Sequence, residues 1–210
     1  MKKNIYQFIL LLLVYSCNKL NNNQVEKQKN ATIKNVILTN DKFNSQILYH
    51  GDCSYSLSET EGWIANSEPP QNSDNIKNLV IYEPDSSIKH LAPIGIISNV
   101  IFKEDFKDLN FNGFLNNEMR TALERGEKVI NARSIKTKDN KTAIVKEYFI
   151  DDASSYFAIA YIDEPKYIIM VTFSTQDIND FINNFNSFEN IVKSYKYIGM
   201  NVIDETKKAN

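Results

Sequence analysis

Hydrophobic residues recur at steps of three and four positions near the C-terminus, between Ser174 and Ile198. This period is that of one face of an amphipathic helix. The predicted apolar face comprises Ile178, Phe181, Ile182, Phe185, Phe188, Ile191, Val192 and Tyr195. The predicted polar face comprises Asn179, Asp180, Asn183, Asn184, Asn186, Glu189, Asn190 and Lys193. Such a helix needs a docking surface, because ordering its backbone costs about 1 to 2 kcal/mol per residue.

A second stretch with helical spacing lies between Phe111 and Arg125. Gly126 stands where a C-cap glycine is expected, so this helix should end there. For the C-terminal helix, Ser174 with Asp177 three residues later predicts a capping box at the start. The apolar positions of the second helix are Phe111, Phe114, Leu115, Met119, Ala122 and Leu123.

Apolar runs between the two helices predict four consecutive strands. They extend from about Val129 to Thr137, Ala143 to Ile150, Tyr156 to Ile162 and Tyr167 to Phe173. The connections at 138–141 and 163–166 are short, which favours antiparallel hairpins. In the last strand, successive residues on both faces are apolar, so the sheet should be covered on both sides. Two amphipathic helices are available for that role.

Earlier strands are predicted with less regular patterns. They are Ile33 to Leu38, Cys53 to Ser58, Leu79 to Tyr82 and Ile96 to Phe102. From Asn66 to Asn75 we expect a loop, because Pro69 and Pro70 exclude regular structure there. The predicted organisation is one folded domain over residues 31–200, followed by a polar tail over residues 201–210.

The N-terminus is a positively charged start followed by an apolar run, MKKNIYQFILLLLVYSC, typical of a secretory signal peptide. The segment Val14-Tyr15-Ser16-Cys17 resembles a bacterial lipobox, which predicts a lipoprotein signal peptide over residues 1–16 and lipidation of Cys17. Lipidated Cys17 would anchor the chain to the membrane. Residues 17–30 are polar and predict a flexible tether. An ordinary signal peptide cleaved near Ser16 is the alternative.

Charge and cysteine content narrow the function classes. The 210-residue chain has a formal charge of −2, and loss of residues 1–16 removes two lysines and no acid, which makes it −4. A mildly acidic exported chain is a poor candidate for nucleic-acid binding, which usually involves a basic face, so we expect no nucleic-acid partner. The chain has two cysteines. If Cys17 is acylated, Cys53 has no partner for an intramolecular disulfide.

Three short segments resemble motifs of the Mog1/PsbP-like superfamily: Tyr55-Ser56-Leu57, Glu61-Gly62-Trp63 and the segment from Phe188 to Tyr195, FENIVKSY. The resemblance covers roughly residues 53–198. It implies an α+β fold, an α/β/α sandwich around a mainly antiparallel sheet. Thr60 stands where a proline commonly precedes Glu-Gly-Trp in the family. The resemblance supplies no catalytic residue.

Candidate metal ligands and nucleophiles are few. His50, Asp52 and Cys53 form an H-x-D-C segment, but the only other histidine, His90, falls in a different predicted loop. A structural zinc site needs four ligands and a catalytic one usually three. Cys53 in an alternating strand is therefore predicted to be a small core residue, and we expect no metal or cofactor.

Acidic pairs fall in predicted turns, at Glu104-Asp105, Asp151-Asp152 and Asp163-Glu164. We interpret them as solvated turn residues, with weak calcium binding at Asp151 and Asp152 as the open alternative. Strand aromatics usually pack across the sheet, so a ligand groove is the less favoured interpretation for these side chains. They are Trp63, Tyr148, Tyr156, Tyr161 and Tyr167.

Two functional hypotheses follow from the sequence. The first is a non-catalytic, lipid-anchored protein of the bacterial cell envelope, facing the periplasm, that binds or supports a protein partner. The second is a small-ligand-binding lipoprotein or an uncharacterised hydrolase, with a pocket between Trp63 and Ile76 or beside the hairpin tips. No phosphate loop, serine elbow or metalloprotease motif is present in the sequence.

Overall fold

The computed structural model describes residues 36–38, 45–50, 53–66, 80–106, 110–151 and 153–198. The predicted signal peptide, Cys17, the tether and the polar tail lie outside these residues. The strands are β1 Val36–Leu38, β2 Ser45–His50, β3 Cys53–Ser58, β4 Trp63–Asn66, β5 Val80–Pro84, β6 Ile94–Phe102, β7 Lys128–Lys136, β8 Thr142–Ile150, β9 Ser155–Asp163, β10 Tyr167–Thr175 and β11 Lys196–Tyr197. The α-helices are α1 Phe111–Glu124 and α2 Ile178–Lys193, and a 3-10 turn spans Lys103–Phe106.

Two antiparallel sheets form the framework. The larger has seven strands in the order β4-β5-β6-β10-β9-β8-β7, and the smaller has the order β1-β2-β3-β11. Helix α1 covers one face of the large sheet, while α2 and the small sheet cover the other. The predicted α+β class, an α/β/α sandwich around an antiparallel sheet, is confirmed.

Strand β10 shows why both faces are covered. Tyr167, Ile169, Val171 and Phe173 belong to the core under α2, whereas Ile168 packs toward α1. This alternation follows from the two-residue period of a strand. The hairpins predicted around residues 138–141 and 163–166 are also present.

Helix α2 is shorter than the sequence pattern predicted. It begins after Asp177, whose carboxylate accepts hydrogen bonds from the backbone N–H groups of Asn179 and Asp180 at 2.8 and 3.0 Å. Ser174 lies in β10, so the predicted capping box is wrong. The extended backbone of β10 continues to Thr175 because both neighbouring strands pair with it there.

Helix α1 agrees with its prediction. Asn110 caps its N-terminus by accepting a hydrogen bond from the backbone N–H of Gly113 at 2.8 Å. Gly126 follows the helix with a φ of +81°, a conformation that favours glycine. Phe114 contacts Tyr161 of the sheet, and Ala122 is also buried. Leu123 is 55% exposed, so the buried face of α1 is narrower than the set of apolar positions that the sequence predicted.

Three short strands were not predicted. Strand β4, Trp63–Asn66, lies directly before the predicted loop and pairs with β5 along the edge of the large sheet. Strand β11 pairs with only two residues of β3. Strand β2 pairs with β3. Strands β4 and β11 are short edge strands that depend on their partners, so their own sequences carry little periodicity.

Candidate functional site

A partly open apolar surface lies where α2 meets strand β9, next to β8 in the large sheet. We call it the α2 flank and define it by Phe149, Tyr156, Ile178, Ile182 and Phe185. The side chains of Ile178 and Ile182 are 40% and 64% exposed, and the three aromatic residues are half-buried. The sequence pattern predicted both isoleucines on the docked face of the helix, so that prediction is wrong for these two positions.

Local geometry aligns the members of the α2 flank. Ile178, Ile182 and Phe185 follow one another at helical spacing, which places them along one side of α2. Phe149 and Tyr156 are directly opposite in the β8–β9 hairpin, and their rings stack with centroids 4.6 Å apart. Phe181 links the two elements, with its ring 5.9 Å from that of Tyr156 and 5.4 Å from that of Phe185.

Arg133 of β7 lies at one end of the α2 flank. Its guanidinium carbon is 4.5 Å from the centroid of the Phe185 ring, a cation–π contact. The same group forms an ion pair with Glu147 at 2.5 Å and another with Glu189 at 3.4 Å. Glu147 is buried, so this pair holds the arginine in a defined position beside the aromatic ring.

Asp180 lies on the predicted polar face of α2, yet it is only 3% exposed. Its Oδ2 atom accepts hydrogen bonds from the backbone N–H groups of Leu91 and Ala92, at 2.8 and 3.0 Å. These residues belong to the loop that joins β5 to β6. Asn184, also predicted as solvated, is buried and donates to the backbone carbonyl of Asp180 at 2.9 Å. Buried polar groups require such partners, which here come from a distant loop and the helix itself.

The Glu61-Gly62-Trp63 motif has a structural role. Gly62 has a φ of +78°, and a Cβ atom there would lie 2.6 Å from the side chain of Ile88. Trp63 is 1% exposed and packs edge-on against Phe173, with ring centroids 6.3 Å apart. The expectation that Trp63 packs in the core is therefore confirmed, and its ring does not line an open groove.

The segment from Phe188 to Tyr195 joins α2 to other elements. The Ser194 hydroxyl accepts a hydrogen bond from the backbone N–H of Ser58 at 2.8 Å, which links the helix to β3. The Tyr195 hydroxyl donates to Glu164 Oε1 at 2.9 Å, and Lys141 forms an ion pair with the other carboxylate oxygen at 3.0 Å. Glu164 is buried, so its interpretation as a solvated turn residue is wrong.

The other acidic candidates agree better with the sequence interpretation. Asp151 is exposed in the β8–β9 turn and forms an ion pair with Lys128. Glu104 and Asp105 are exposed in the 3-10 turn. Asp163 ends β9 and forms an ion pair with Lys103 at 2.5 Å. Asp152 lies outside the described residues, and weak calcium binding there stays a prediction.

The histidine and cysteine candidates do not converge. His50 and Cys53 are directly opposite in the β2–β3 hairpin, and Asp52 lies outside the described residues. His90 is exposed in the β5–β6 loop, where its Nδ1 is 2.9 Å from the carbonyl oxygen of Ala92. Among the described residues, no group of three histidine, cysteine or acidic side chains could hold a metal ion.

A buried polar cluster under α1 was missed from the sequence. Lys146 of β8 is buried and donates to the backbone carbonyl of Leu115 at 2.7 Å. Burial lowers the pKa of Lys146 and raises the pKa of Glu118. Burial also raises the pKa of Tyr148 to about 12 and that of Tyr161 well above its ordinary value, and the two phenols share a hydrogen bond. The sequence feature that could have indicated this cluster is Lys146 itself, a lysine within a predicted apolar strand.

Glu127 extends this cluster beyond the end of α1. It is buried, and its Oε1 atom accepts a hydrogen bond from Arg125 Nε at 2.6 Å. Its Oε2 atom is buried without a hydrogen-bond partner in the described part of the chain. The carboxylate adds to the upward pKa shift of Glu118 that burial causes. The cluster thus concentrates displaced pKa values beneath one helix, a property that functional sites share with structural networks.

No protein-family model matches the sequence, and no curated protein matches it. Several solved structures are similar in fold. PA94 from Pseudomonas aeruginosa, a protein of unknown function, is 10% identical, with 71% of this chain and 94% of that chain covered and a TM-score of 0.46. PsbP (CyanoP) from Synechocystis sp. PCC 6803 is 13% identical, with 86% and 99% covered and a TM-score of 0.44.

The Ran-binding protein Mog1p from Saccharomyces cerevisiae is 11% identical, with 80% of this chain and 97% of that chain covered and a TM-score of 0.42. PsbP and Mog1p carry the names of the superfamily that the sequence motifs resemble. The likeness concerns the fold alone. In the ranges that the structure describes, neither helix is long and apolar enough to cross a membrane.

Proposed function

We propose that this chain is a non-catalytic protein of the bacterial cell envelope, anchored through lipidated Cys17, that binds a protein partner through the α2 flank. The signal-peptide layout and the Val14-Tyr15-Ser16-Cys17 segment support the anchoring. The residues after Cys17, NKLNNNQ, lack the acidic stretch of many surface-exported lipoproteins, which supports a periplasm-facing position. The binding role rests on the composition and exposure of the α2 flank.

The observation that carries the binding role is that α2 buries most of its apolar face but leaves Ile178 and Ile182 open. Each lies one helical turn from an aromatic residue of α2: Ile178 precedes Phe181, whose ring is 5.9 Å from that of Tyr156, and Ile182 precedes Phe185, whose ring contacts the guanidinium of Arg133. Aromatic and arginine side chains dominate the energetically important positions of protein interfaces. Covering the exposed part of Ile182 would contribute about 1 to 2 kcal/mol, because full burial of such a side chain is worth about 1.5 to 3 kcal/mol.

Photo-crosslinking tests the binding role. A photoreactive residue at position 182 should form an adduct of one size in intact cells, and the same residue at position 123 should not. Leu123 is the matched control, since it is 55% exposed on the other helix. With the adduct partner purified, Ile182→Asp should weaken binding about tenfold or more, and Leu123→Asp should leave it unchanged. Equal behaviour of the two positions would contradict the binding role.

Membrane fractionation tests the anchoring. Cys17→Ala should move the chain from the membrane fraction to the soluble fraction. Cys53→Ala is the control, because Cys53 is the only other cysteine. If both variants remain in the membrane fraction, the anchoring role is wrong, while the crosslinking result stands separately.

The polar cluster under α1 is the specific observation that favours a second candidate, a small-ligand-binding protein. Lys146 and Glu118 have pKa values displaced in opposite directions, as acidic and basic groups of binding sites often have. A ligand of this cluster should raise the thermal unfolding temperature of the protein, and Lys146→Met should abolish the increase. An unchanged unfolding temperature across a metabolite panel would count against this role.

A further inference from the structure

The outward side of α2 is uncharged along most of the helix. The exposed residues of α2 before Lys193 are Ile178, Asn179, Ile182, Asn183, Asn186 and Asn190. They follow one another at four-residue spacing in two neighbouring rows, which we call the outer rows of α2. Helix α1 differs, because its exposed side carries the ion pair of Arg120 and Glu124. An exposed helix face normally carries charged side chains, whereas the core of a protein interface is depleted of them.

The ionised groups at the two ends of the outer rows already have partners in this chain. At the N-terminal end, the Asp177 carboxylate accepts from two backbone N–H groups of the first helical turn. At the C-terminal end, Lys193 forms an ion pair with Glu189 at 3.0 Å, and Glu189 also pairs with Arg133 at 3.4 Å. Asp180 lies on a different side of the helix, where it is buried. The outer rows, which the structure describes in full, therefore offer a charged partner no counter-charge.

A second copy of this chain matches such a surface. The side-chain amide of asparagine both donates and accepts hydrogen bonds, so a row of asparagines is complementary to itself. A two-fold axis brings the same patch of two copies together, which requires this self-complementarity. Each copy has a formal charge of −2, so two copies repel each other least where their surfaces carry no charge. Antiparallel helices also place the positive N-terminal end of one macrodipole beside the negative C-terminal end of the other.

We propose that the protein partner of the α2 flank is a second copy of this chain, paired antiparallel along α2 across a two-fold axis. This inference rests on the proposed binding role of the α2 flank. The axis passes between Ile182 and Asn186, so each Ile182 packs beside Asn186 of the other copy, and Ile178 faces Asn190. The outer rows and the α2 flank supply fewer residues than the roughly 20 to 30 a side of a standard interface, so we expect a weak dimer that crosslinking can trap.

Cysteine crosslinking between two differently tagged copies in intact cells tests the pairing. Every chain carries Cys53→Ala, and the chain without an added cysteine gives the background from Cys17. In an antiparallel pair, position 178 of one copy lies beside position 190 of the other, whereas the two positions 178 are about 18 Å apart along the helix axis. A short bismaleimide should therefore join Ile178→Cys to Asn190→Cys in a product that carries both tags. Ile178→Cys in both copies, and Leu123→Cys in both copies as the matched control, should give only background.

Charge substitution tests the position of the axis. Ile182→Asp in both copies should abolish the product that joins positions 178 and 190, because it places two carboxylates beside the axis. Asn186→Lys added to Ile182→Asp should restore the product, because each new carboxylate then faces a new ammonium group across the axis. Both native side chains are exposed, so the midpoint of urea denaturation should stay unchanged in these variants. Persistence of the product in Ile182→Asp would overturn the proposal.

The photoreactive residue at position 182 separates this proposal from the binding role on which it rests. An adduct of twice the chain mass that carries both tags supports the second copy as partner. An adduct of another mass, without the product that joins positions 178 and 190, would overturn the second copy and leave the binding role of the α2 flank intact. Absence of both products would overturn both. A product from Ile178→Cys in both copies, without one from the mixed pair, would overturn the antiparallel arrangement.

Discussion

Removing the buried hydroxyl group of Tyr195 should destabilise this protein, whereas removing the buried hydroxyl group of Tyr82 should not. In Tyr195→Phe, Glu164 Oε1 loses the donor that lies 2.9 Å away in the native protein. In Tyr82→Phe, the lost hydroxyl is buried and has no hydrogen-bond partner among the described residues. The chemical change is the same in both variants, and both rings are fully buried, so the two differ chiefly in the bond that is lost.

The magnitude follows from the state of Glu164. Its carboxylate is buried and, among the residues that the structure describes, keeps the Lys141 ion pair as its one side-chain partner once the tyrosine hydroxyl is removed. A hydrogen bond to a charged group contributes about 1.5 to 3 kcal/mol. Tyr195→Phe should therefore lower the free energy of unfolding by about 2 kcal/mol. Tyr82→Phe should change it little or raise it, because a buried hydroxyl without a partner carries a desolvation cost.

Urea denaturation followed by the fluorescence of Trp63, the single tryptophan, measures both effects. With a slope of about 2 kcal/mol per molar urea, Tyr195→Phe should lower the midpoint by about 1 M. The double variant Tyr195→Phe with Glu164→Gln should be less destabilised than the sum of the single changes, because the two residues interact. Equal midpoints for Tyr195→Phe and Tyr82→Phe would refute this account of the Glu164 interaction.

Two further predictions concern backbone conformation and alkaline pH. Gly62→Ala should be more destabilising in urea than Gly126→Ala, because both glycines have positive φ but a Cβ atom meets Ile88 only at Gly62; equal losses would contradict the steric argument. The pKa of the Tyr148 hydroxyl is raised from 10.0 to about 12 in the folded protein. The contribution of this neutral hydroxyl to the free energy of unfolding is therefore complete below pH 10 and is lost as the pH rises toward 12. At pH 11 Tyr148 should account for a loss of at most about 1.4 kcal/mol, so the decrease in the free energy of unfolding between pH 8 and pH 11, measured by urea denaturation, should be smaller by that amount in Tyr148→Phe than in the unchanged protein, while Tyr161 and Tyr82, whose pKa values are also raised, keep contributing to the decrease in both.

The positions of α2 show how far periodicity predicts burial. Phe181, Phe188 and Ile191 are buried as their spacing indicated, whereas Ile178 and Ile182 are not. A period identifies the direction of the apolar face, but the neighbouring elements set how much of that face is covered. For α2, the covered arc faces the large sheet and β3, and the arc that carries Ile178 and Ile182 stays open. The sequence therefore predicted the helix but not which of its apolar residues would stay exposed as a candidate interaction surface.

Polar residues were the least predictable part of the candidate sites. Asp180, Glu164 and Lys146 were interpreted as solvated or passed over, and all three are buried. Each is stabilised by an atom far away in the chain: Leu91 N is 89 positions from Asp180, Tyr195 is 31 positions from Glu164, and Leu115 is 31 positions from Lys146. The burial of a polar side chain that depends on such a distant partner cannot be recognised from the neighbouring residues in the sequence.

The amino-acid sequence by itself determined the two helices, the C-terminal hairpins and the apolar character of both faces of the sheet, because these follow from periods of two and 3.6 residues along the chain. Only the tertiary structure decided which apolar residues stay open and which polar residues are buried. The physical reason is that hydrogen-bond partners come from any part of the chain. Ser194, for example, is linked to Ser58 across 136 positions, and contacts of this kind join the closing segment of α2 to the small sheet.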